Sequence, residues 1–277
     1  MTKKRLQWLA ASCVIAALLS CDNTPSVHYD VLIQGGTIVD GSGAAAYAGD
    51  IAINGDTIVE IGELGGTTAT RVIDASGHVV SPGFIDLHTH ADRNIQNNPG
   101  VENYLFQGVT TMLVGNCGNS PVHLDEYFQS VEETRIAPNL GMLIGHNAVR
   151  AEVMGNDDRA PTDDELAGMK ELVKTAMDAG AFGLSTGLIY LPGTYSETDE
   201  VVALARIVAE EGGIYASHIL NEFNLITDAI TEAITIGREA GLPVQISHFK
   251  VADNTMWGAS TVTLGLVAAA RDEGLDV

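Results

Sequence analysis

The 277-residue chain carries 14 basic against 36 acidic residues, a formal net charge of −22, with 45% apolar residues and 30 glycines. A nucleic-acid-binding surface needs the opposite sign, so nucleic acid is not an expected partner. The length suits one large domain or two smaller ones, and the acidity speaks of solubility rather than of a substrate.

Residues 1–20 read as a signal segment. Lys3, Lys4 and Arg5 form a basic start, and Leu6 to Leu19 an apolar run too short for a membrane span. The run ends in Leu18-Leu19-Ser20-Cys21, which resembles a bacterial lipoprotein box with Cys21 as the lipidated first residue of the mature chain. The alternative is an ordinary cleaved secretory signal. The expected location is the periplasmic face of a bacterial membrane, reached by export and held by the lipid on Cys21, with residues 21–28 as linker. Cys13 leaves with the signal, so Cys117 stands alone. A single remaining thiol builds no disulfide framework; it is a buried apolar group, a reactive group or a metal ligand.

Residues 29–80 read as short strands: 30–34, 37–39, 50–53, 57–61, 71–74 and 78–80. Asn54-Gly55-Asp56 marks a hairpin, because Asn-Gly accepts positive φ. No cluster of reactive side chains lies here, and the segment is expected to be a structural β module.

After Pro82 the pattern changes to strand, then helix, repeated. Strands are expected at 84–87, 110–114, 140–144, 181–185, 214–217 and 244–247. Thr162-Asp-Asp-Glu165 is a capping box, and Leu166, Met169, Leu172, Val173, Ala176 and Met177 keep helical spacing up to Gly180. Residues 201–208 and 226–240 repeat the pattern, ending at Gly212-Gly213 and Gly241. Alternating strands and helices imply an α/β fold with a parallel sheet, and six such units favour a TIM-like barrel with about six of eight units present in 81–277.

In such a barrel, reactive groups sit at the C-terminal strand ends. His88 and His90 end the first strand, Asn116-Cys117-Gly118 follows the second, and His146 ends the third. Ser185 to Tyr190 end the fourth, His218 the fifth, and His248 and Lys250 the sixth. Five of eight histidines and the lone core cysteine therefore fall at one end of the fold. His88 and His90 are two residues apart on a strand and share a face; alone, such a pair binds one metal ion or is satisfied by ordinary hydrogen bonds. Imidazole and thiolate together suit zinc. The candidate ligands are His88, His90, Cys117, His218 and His248, more than one tetrahedral site needs, so either two metals bind or one site is partial. A metal with an open position supports hydrolysis, and a carboxylate base is then required. Asp86, Asp92 and Glu222 are the acids nearby in sequence, none an obvious base.

Pro82-Gly-Phe-Ile-Asp86, His88-Thr-His90 and the strand-end histidines resemble the amidohydrolase superfamily. Val114-Gly-Asn-Cys-Gly118, Gly183-Leu-Ser-Thr-Gly-Leu-Ile-Tyr190 with Pro192-Gly193, and Ser247-His-Phe-Lys250 are similar to N-acyl-D-amino-acid deacylases (D-aminoacylases), from about residue 29 onward. The resemblance implies a metal-dependent hydrolase barrel with a β-sandwich, of which 29–80 is one half. It implies hydrolysis of a linear amide in an N-acyl-D-amino acid. It implies a tight zinc on Cys117, His218 and His248, a weaker position on His88 and His90, and Lys250 and Tyr190 near the substrate carboxylate. A Lys two residues past a ligand His fits a carboxylate anchor on residue grounds too; Tyr190 also fits as packing, and His146 fits a supporting role. Leu220 stands where the family usually has Arg, and Ala91 where it has Asp. The family's catalytic Asp follows an eighth strand, beyond residue 277, so no catalytic residue is expected within this chain. A cyclic-amide hydrolase of the hydantoinase or dihydroorotase kind is the runner-up; those sites place a carbamylated Lys at strand four, where this chain has Ser185-Thr-Gly187. A non-catalytic, truncated lipoprotein is the other alternative.

Overall fold

The computed structural model describes residues 27–277. The signal segment, Cys21 and most of the linker lie outside the described residues. The chain divides into two compact units, one up to Pro82 and one from Gly83 to Val277.

The first unit is a single sheet of β1 (His28–Ile38), β2 (Tyr47–Asn54), β3 (Thr57–Gly62), β4 (Thr68–Asp74) and β5 (Val79–Val80). Its order is β3-β2-β1-β4, with β5 also on β1. β2 pairs antiparallel with β1 and β3, whereas β4 and β5 run parallel to β1. Two of the predicted strands, 30–34 and 37–39, are one. β1 runs through Gly35-Gly36 on a register shift, with Gly35 at φ +71°, because a bulge absorbs the extra residues without ending the ladder. Tyr29, Leu32, Ala52 and Leu64 form a small core. Among the described residues these five strands make one sheet layer.

The second unit alternates strands and helices. Its strands are β6 (Phe84–Asp86), β7 (Val109–Val114), β8 (Asn139–Met142), β9 (Ile144–Gly145), β10 (Gly183–Gly187), β11 (Ile214–His218) and β12 (Val244–Ile246). The helices are α1 (Glu102–Leu105), α2 (Leu124–Thr134), α3 (His146–Met154), α4 (Asp163–Asp178), α5 (Thr198–Glu210), α6 (Ile226–Ala240) and α7 (Ser260–Asp272). All strand pairs are parallel, in the orders β6-β7-β8 and β12-β11-β10-β9. β8 and β9 are two pieces of the expected third strand, broken at Leu143, whose N–H donates to the Val114 carbonyl (2.9 Å). Six strand positions thus follow one another in chain order. Among the described residues β6 and β12 do not pair, so the barrel does not close.

The helices form because their apolar residues recur on one face. The α4 start carries both halves of the capping box: the Glu165 N–H donates to Thr162 Oγ1 (3.3 Å) and the Thr162 N–H to Glu165 Oε2 (2.8 Å). Gly241 ends α6 at φ +77°. Leu184 and Tyr215 from the sheet meet Met169, Val173, Leu204, Val208 and Ile236 from the helices, all with no exposed surface. Burying each large aliphatic side chain contributes roughly 1.5–3 kcal/mol, and this layer fixes the strand ends that carry the site.

Candidate metal centre

The strand ends converge on Cys117. Its Sγ lies 3.5 Å from His88 Nε2, 3.5 Å from His218 Nδ1 and 4.0 Å from His248 Nε2. His248 Nε2 and His88 Nε2 are 3.1 Å apart. Cys117 shares one cluster of potential ligand atoms with His88 and His90, and a second with His218 and His248, each within 4.8 Å. All five sequence-predicted ligands are therefore brought together, with the thiol common to both groups. The donor set fits zinc: soft sulfur and imidazole nitrogen within reach of one or two centres. His90 Nδ1 is buried without a hydrogen-bond partner among the described residues, a further sign of a group made to bind an ion.

Backbone strain concentrates here. Cys117 and His248 adopt φ +57° and +50°, a region that costs non-glycine residues energy and persists where the surroundings impose it. Cys117 sits on a turn that only glycine could begin. A Cβ on Gly115, at φ +76°, would lie 2.1 Å from the Leu143 carbonyl oxygen. The turn is tied down from below: Ser185 Oγ donates to the Gly115 carbonyl (2.5 Å) and accepts from the Gly118 N–H (3.0 Å). Asn116 is buried and donates to the Leu113 carbonyl (2.9 Å). A cavity of about 600 Å3 opens against His90, Cys117 and His248, walled by Tyr190, Asn147 and Pro192 among others.

Residues 71–270 match the amidohydrolase family. The chain belongs to that family. It is 38% identical to a D-aminoacylase of Alcaligenes xylosoxydans xylosoxydans, covering 91% of this chain and 57% of the relative. A solved D-aminoacylase structure, described by its binuclear metal centre, matches at TM-score 0.85 and 35% identity, over 90% of this chain and 57% of that one. An N-acyl-D-glutamate deacylase from Bordetella bronchiseptica, solved with zinc and a phosphonate inhibitor, matches at TM-score 0.84 and 35% identity over the same shares. The chain thus spans little more than half the length of these relatives.

Within this amidohydrolase unit the titration environment suits metal capture. Burial, then the neighbouring His248 and His90, holds the His88 imidazole down to about 4, so it is neutral near pH 7. Burial also lowers His90 and His218. Burial pushes the Cys117 thiol up to about 11, against the pull of Arg93; the thiol gives up its proton when a cation takes its place.

The other predicted residues divide. Tyr190 packs its ring 4.8 Å from that of His218 and walls the cavity. Lys250 does not line the cavity; its Nζ donates to Glu222 Oε2 at 2.5 Å. His146 lies outside the cluster. Its Nε2 bonds Glu200 Oε1 (2.8 Å), whose second oxygen takes Arg150 (2.5 Å) in a buried network joining α3 to α5. Asp86 accepts from the His88 N–H (3.0 Å) and so fixes the His-Thr-His turn.

Sequence reasoning undervalued Glu222. Its Oε1 faces His218 Nε2 at 3.7 Å and His248 Nδ1 at 3.5 Å, the nitrogens turned away from Cys117, while Oε2 holds Lys250. One buried carboxylate thus lies behind two candidate ligands; Oε1 has no hydrogen-bond partner among the described residues, so it acts on the two rings through its charge. Its place four residues after His218 was the available signal. Asn147 was missed as well: its side chain bonds Gly187 on both N–H and carbonyl (3.0 and 2.9 Å), fastening the end of β10 beside the cavity. No sequence pattern marks it.

Proposed function

We propose that this chain forms the metal-binding part of a zinc-dependent amidohydrolase that deacylates N-acyl-D-amino acids, giving a carboxylate and a D-amino acid. The observation that carries this reading is the gathering of Cys117 and four histidines at the C-terminal strand ends. Cys117, His218 and His248 would hold one zinc tightly, and His88 with His90 a second, weaker position. When bound, the ion supplies Lewis acidity, acidifying water and polarising the amide carbonyl. The chain's own residues hold and orient. Glu222 sets a negative charge behind the rings of His218 and His248, and Asn147 and Ser185 fix the two turns that frame the cavity. Tyr190, Leu191 and Pro192 supply an apolar wall for the acylated substrate. A cyclic amide is the weaker reading, because β10 ends in Ser185-Thr186-Gly187 and offers no lysine there.

The test is release of free leucine from N-acetyl-D-leucine and N-acetyl-L-leucine, in this chain and in a polypeptide extended to the relatives' length. The expected result is hydrolysis of the D substrate that a chelator abolishes and zinc restores. Zinc-dependent opening of a hydantoin without deacylation, or no zinc dependence at all, overturns the reading.

Export and lipid anchoring at Cys21 are a further part of the proposal, supported by the basic start and apolar run of residues 3–19. Among the described residues no helix is long and apolar enough to cross a membrane. Labelled palmitate should enter the wild-type chain and not Cys21→Ala; equal labelling contradicts the anchor.

A further inference from the structure

Two buried features meet on the first turns of α3. The first is an ionic network. His146 Nε2 bonds Glu200 Oε1 (2.8 Å), and Arg150 donates to Glu200 Oε2 (2.5 Å) and to the carbonyls of Asp157 (3.2 Å) and Arg159 (2.7 Å). All three side chains are buried, so water does not compete for these bonds. Glu200 stands in the first turn of α5, and its N–H donates to the Glu197 carbonyl (3.1 Å). The second is the amide of Asn147, the residue after His146. Its Nδ2 donates to the carbonyls of Gly187 (2.9 Å) and Tyr190 (3.2 Å), and its Oδ1 accepts the Gly187 N–H (3.0 Å). Two glycines make room for this amide: a Cβ on Gly118 would lie 1.9 Å from its Oδ1, and one on Gly193 2.6 Å from its Nδ2. Residues 188–197, which join β10 to α5, are therefore held to one helix at both ends. Asn147 holds them where they begin, and His146 and Arg150, through Glu200, hold them just past where they end. That segment carries Tyr190, Leu191 and Pro192 along the cavity.

We infer that His146, Asn147, Arg150 and Glu200 are positioning residues: they clamp segment 188–197 at both ends and so hold Tyr190 beside His218, where the two rings lie 4.8 Å apart. A free segment of this length pays its ordering cost each time a substrate binds; buried hydrogen bonds at both ends meet that cost on folding instead. The chemistry at position 147 is restrictive, because the side chain must donate to two carbonyls and accept from an N–H at once. Aspartate has the same shape but sets a carboxylate oxygen against the two carbonyls. That Tyr190 meets the substrate rests on the proposed function; that α3 holds it in place does not.

Fluorine NMR of the full zinc-loaded chain carrying meta-fluorotyrosine reads the clamp at Tyr190, whose signal is assigned from Tyr190→Phe. Asn147→Asp should move that signal toward the position of free fluorotyrosine. Amide exchange across residues 187–196 should quicken by about tenfold, as expected for the loss of one or two buried hydrogen bonds, while exchange in α4 and α6 stays as in wild type. His146→Leu tests the far end and leaves Arg150 paired with Glu200; it should move the Tyr190 signal the same way. His146→Gln, whose amide nitrogen reaches Glu200 from the same side, should restore it. A Tyr190 signal and exchange rates that stay as in wild type in Asn147→Asp, or in His146→Leu where Asn147→Asp does not fold, overturn the inference. In a polypeptide extended to the relatives' length, Asn147→Asp should raise the KM for N-acetyl-D-leucine by about tenfold and lower kcat less, with zinc affinity unchanged. A displaced Tyr190 with KM unchanged makes the clamp structural only and overturns the positioning role. A displaced Tyr190 in a protein whose wild type deacylates no acylamino acid upholds the clamp and removes the deacylase reading instead.

Discussion

Glu222 illustrates how one side chain sets the character of the centre. Its carboxylate is buried, faces the outer nitrogens of two histidines and holds Lys250. Removing its charge withdraws the electrostatic support of both imidazoles and the ion pair of Lys250. Glu222→Gln should weaken zinc binding by roughly 10–100-fold, read by competition with a chelating dye; unchanged affinity would show that the carboxylate serves Lys250 alone. The five ligand candidates were legible in the sequence because metal ligation restricts residue type and the strand period fixes spacing: Cys117 follows His88 by 29 residues and His248 follows His218 by 30. Glu222 was legible only as one of three acids near the site, and its place behind two ligands was not. Glutamate is common on exposed turns, and only the fold shows that this one turns inward behind two imidazoles.

At the scale of elements, local chemistry read well where it was self-contained. The capping box at Thr162 and Glu165 and the αL glycine after α6 are decided by a few neighbouring residues, and α4 and α6 form as the pattern predicts. Elements whose bounds depend on distant partners read less well. β1 is a single bulged strand because β2 and β4 pair along both sides of it, and the third barrel strand breaks where the Leu143 carbonyl closes on Gly115. The α4 cap also carries a pH dependence. Hydrogen bonds from Arg159, then from Thr162, hold the Glu165 carboxyl down to about 2 from its ordinary value of 4.5. A carboxylate lowered in the folded state adds stability that is fully present above its unfolded value and is lost as pH falls through the folded one. Wild type should therefore exceed Glu165→Gln in urea midpoint at neutral pH, and the gap should narrow between pH 4.5 and about 2. A gap independent of pH would assign the effect to helix propensity instead.

Over the whole molecule, the second unit is six parallel strand positions in two sheets, with the ligands gathered at their C-terminal ends and the helices packed against them. Phe84, Ile85 and Leu87 around the edge strand β6 are exposed at 56–62%, the kind of apolar strand edge that proteins ordinarily cover. The α/β class and the strand-end site follow from the alternation of periods, which is a property of the whole chain and survives errors at individual boundaries. The single sheet of the first unit was less legible, since short alternating strands give no sign of what covers them. The central claim is that Cys117 and the strand-end histidines bind zinc together. X-ray absorption at the zinc edge tests it most directly. The zinc-loaded chain should show one sulfur neighbour at about 2.3 Å alongside nitrogen or oxygen at about 2.0–2.1 Å, and Cys117→Ala should lose the sulfur. A spectrum with nitrogen and oxygen neighbours only, the same in wild type and Cys117→Ala, would contradict it.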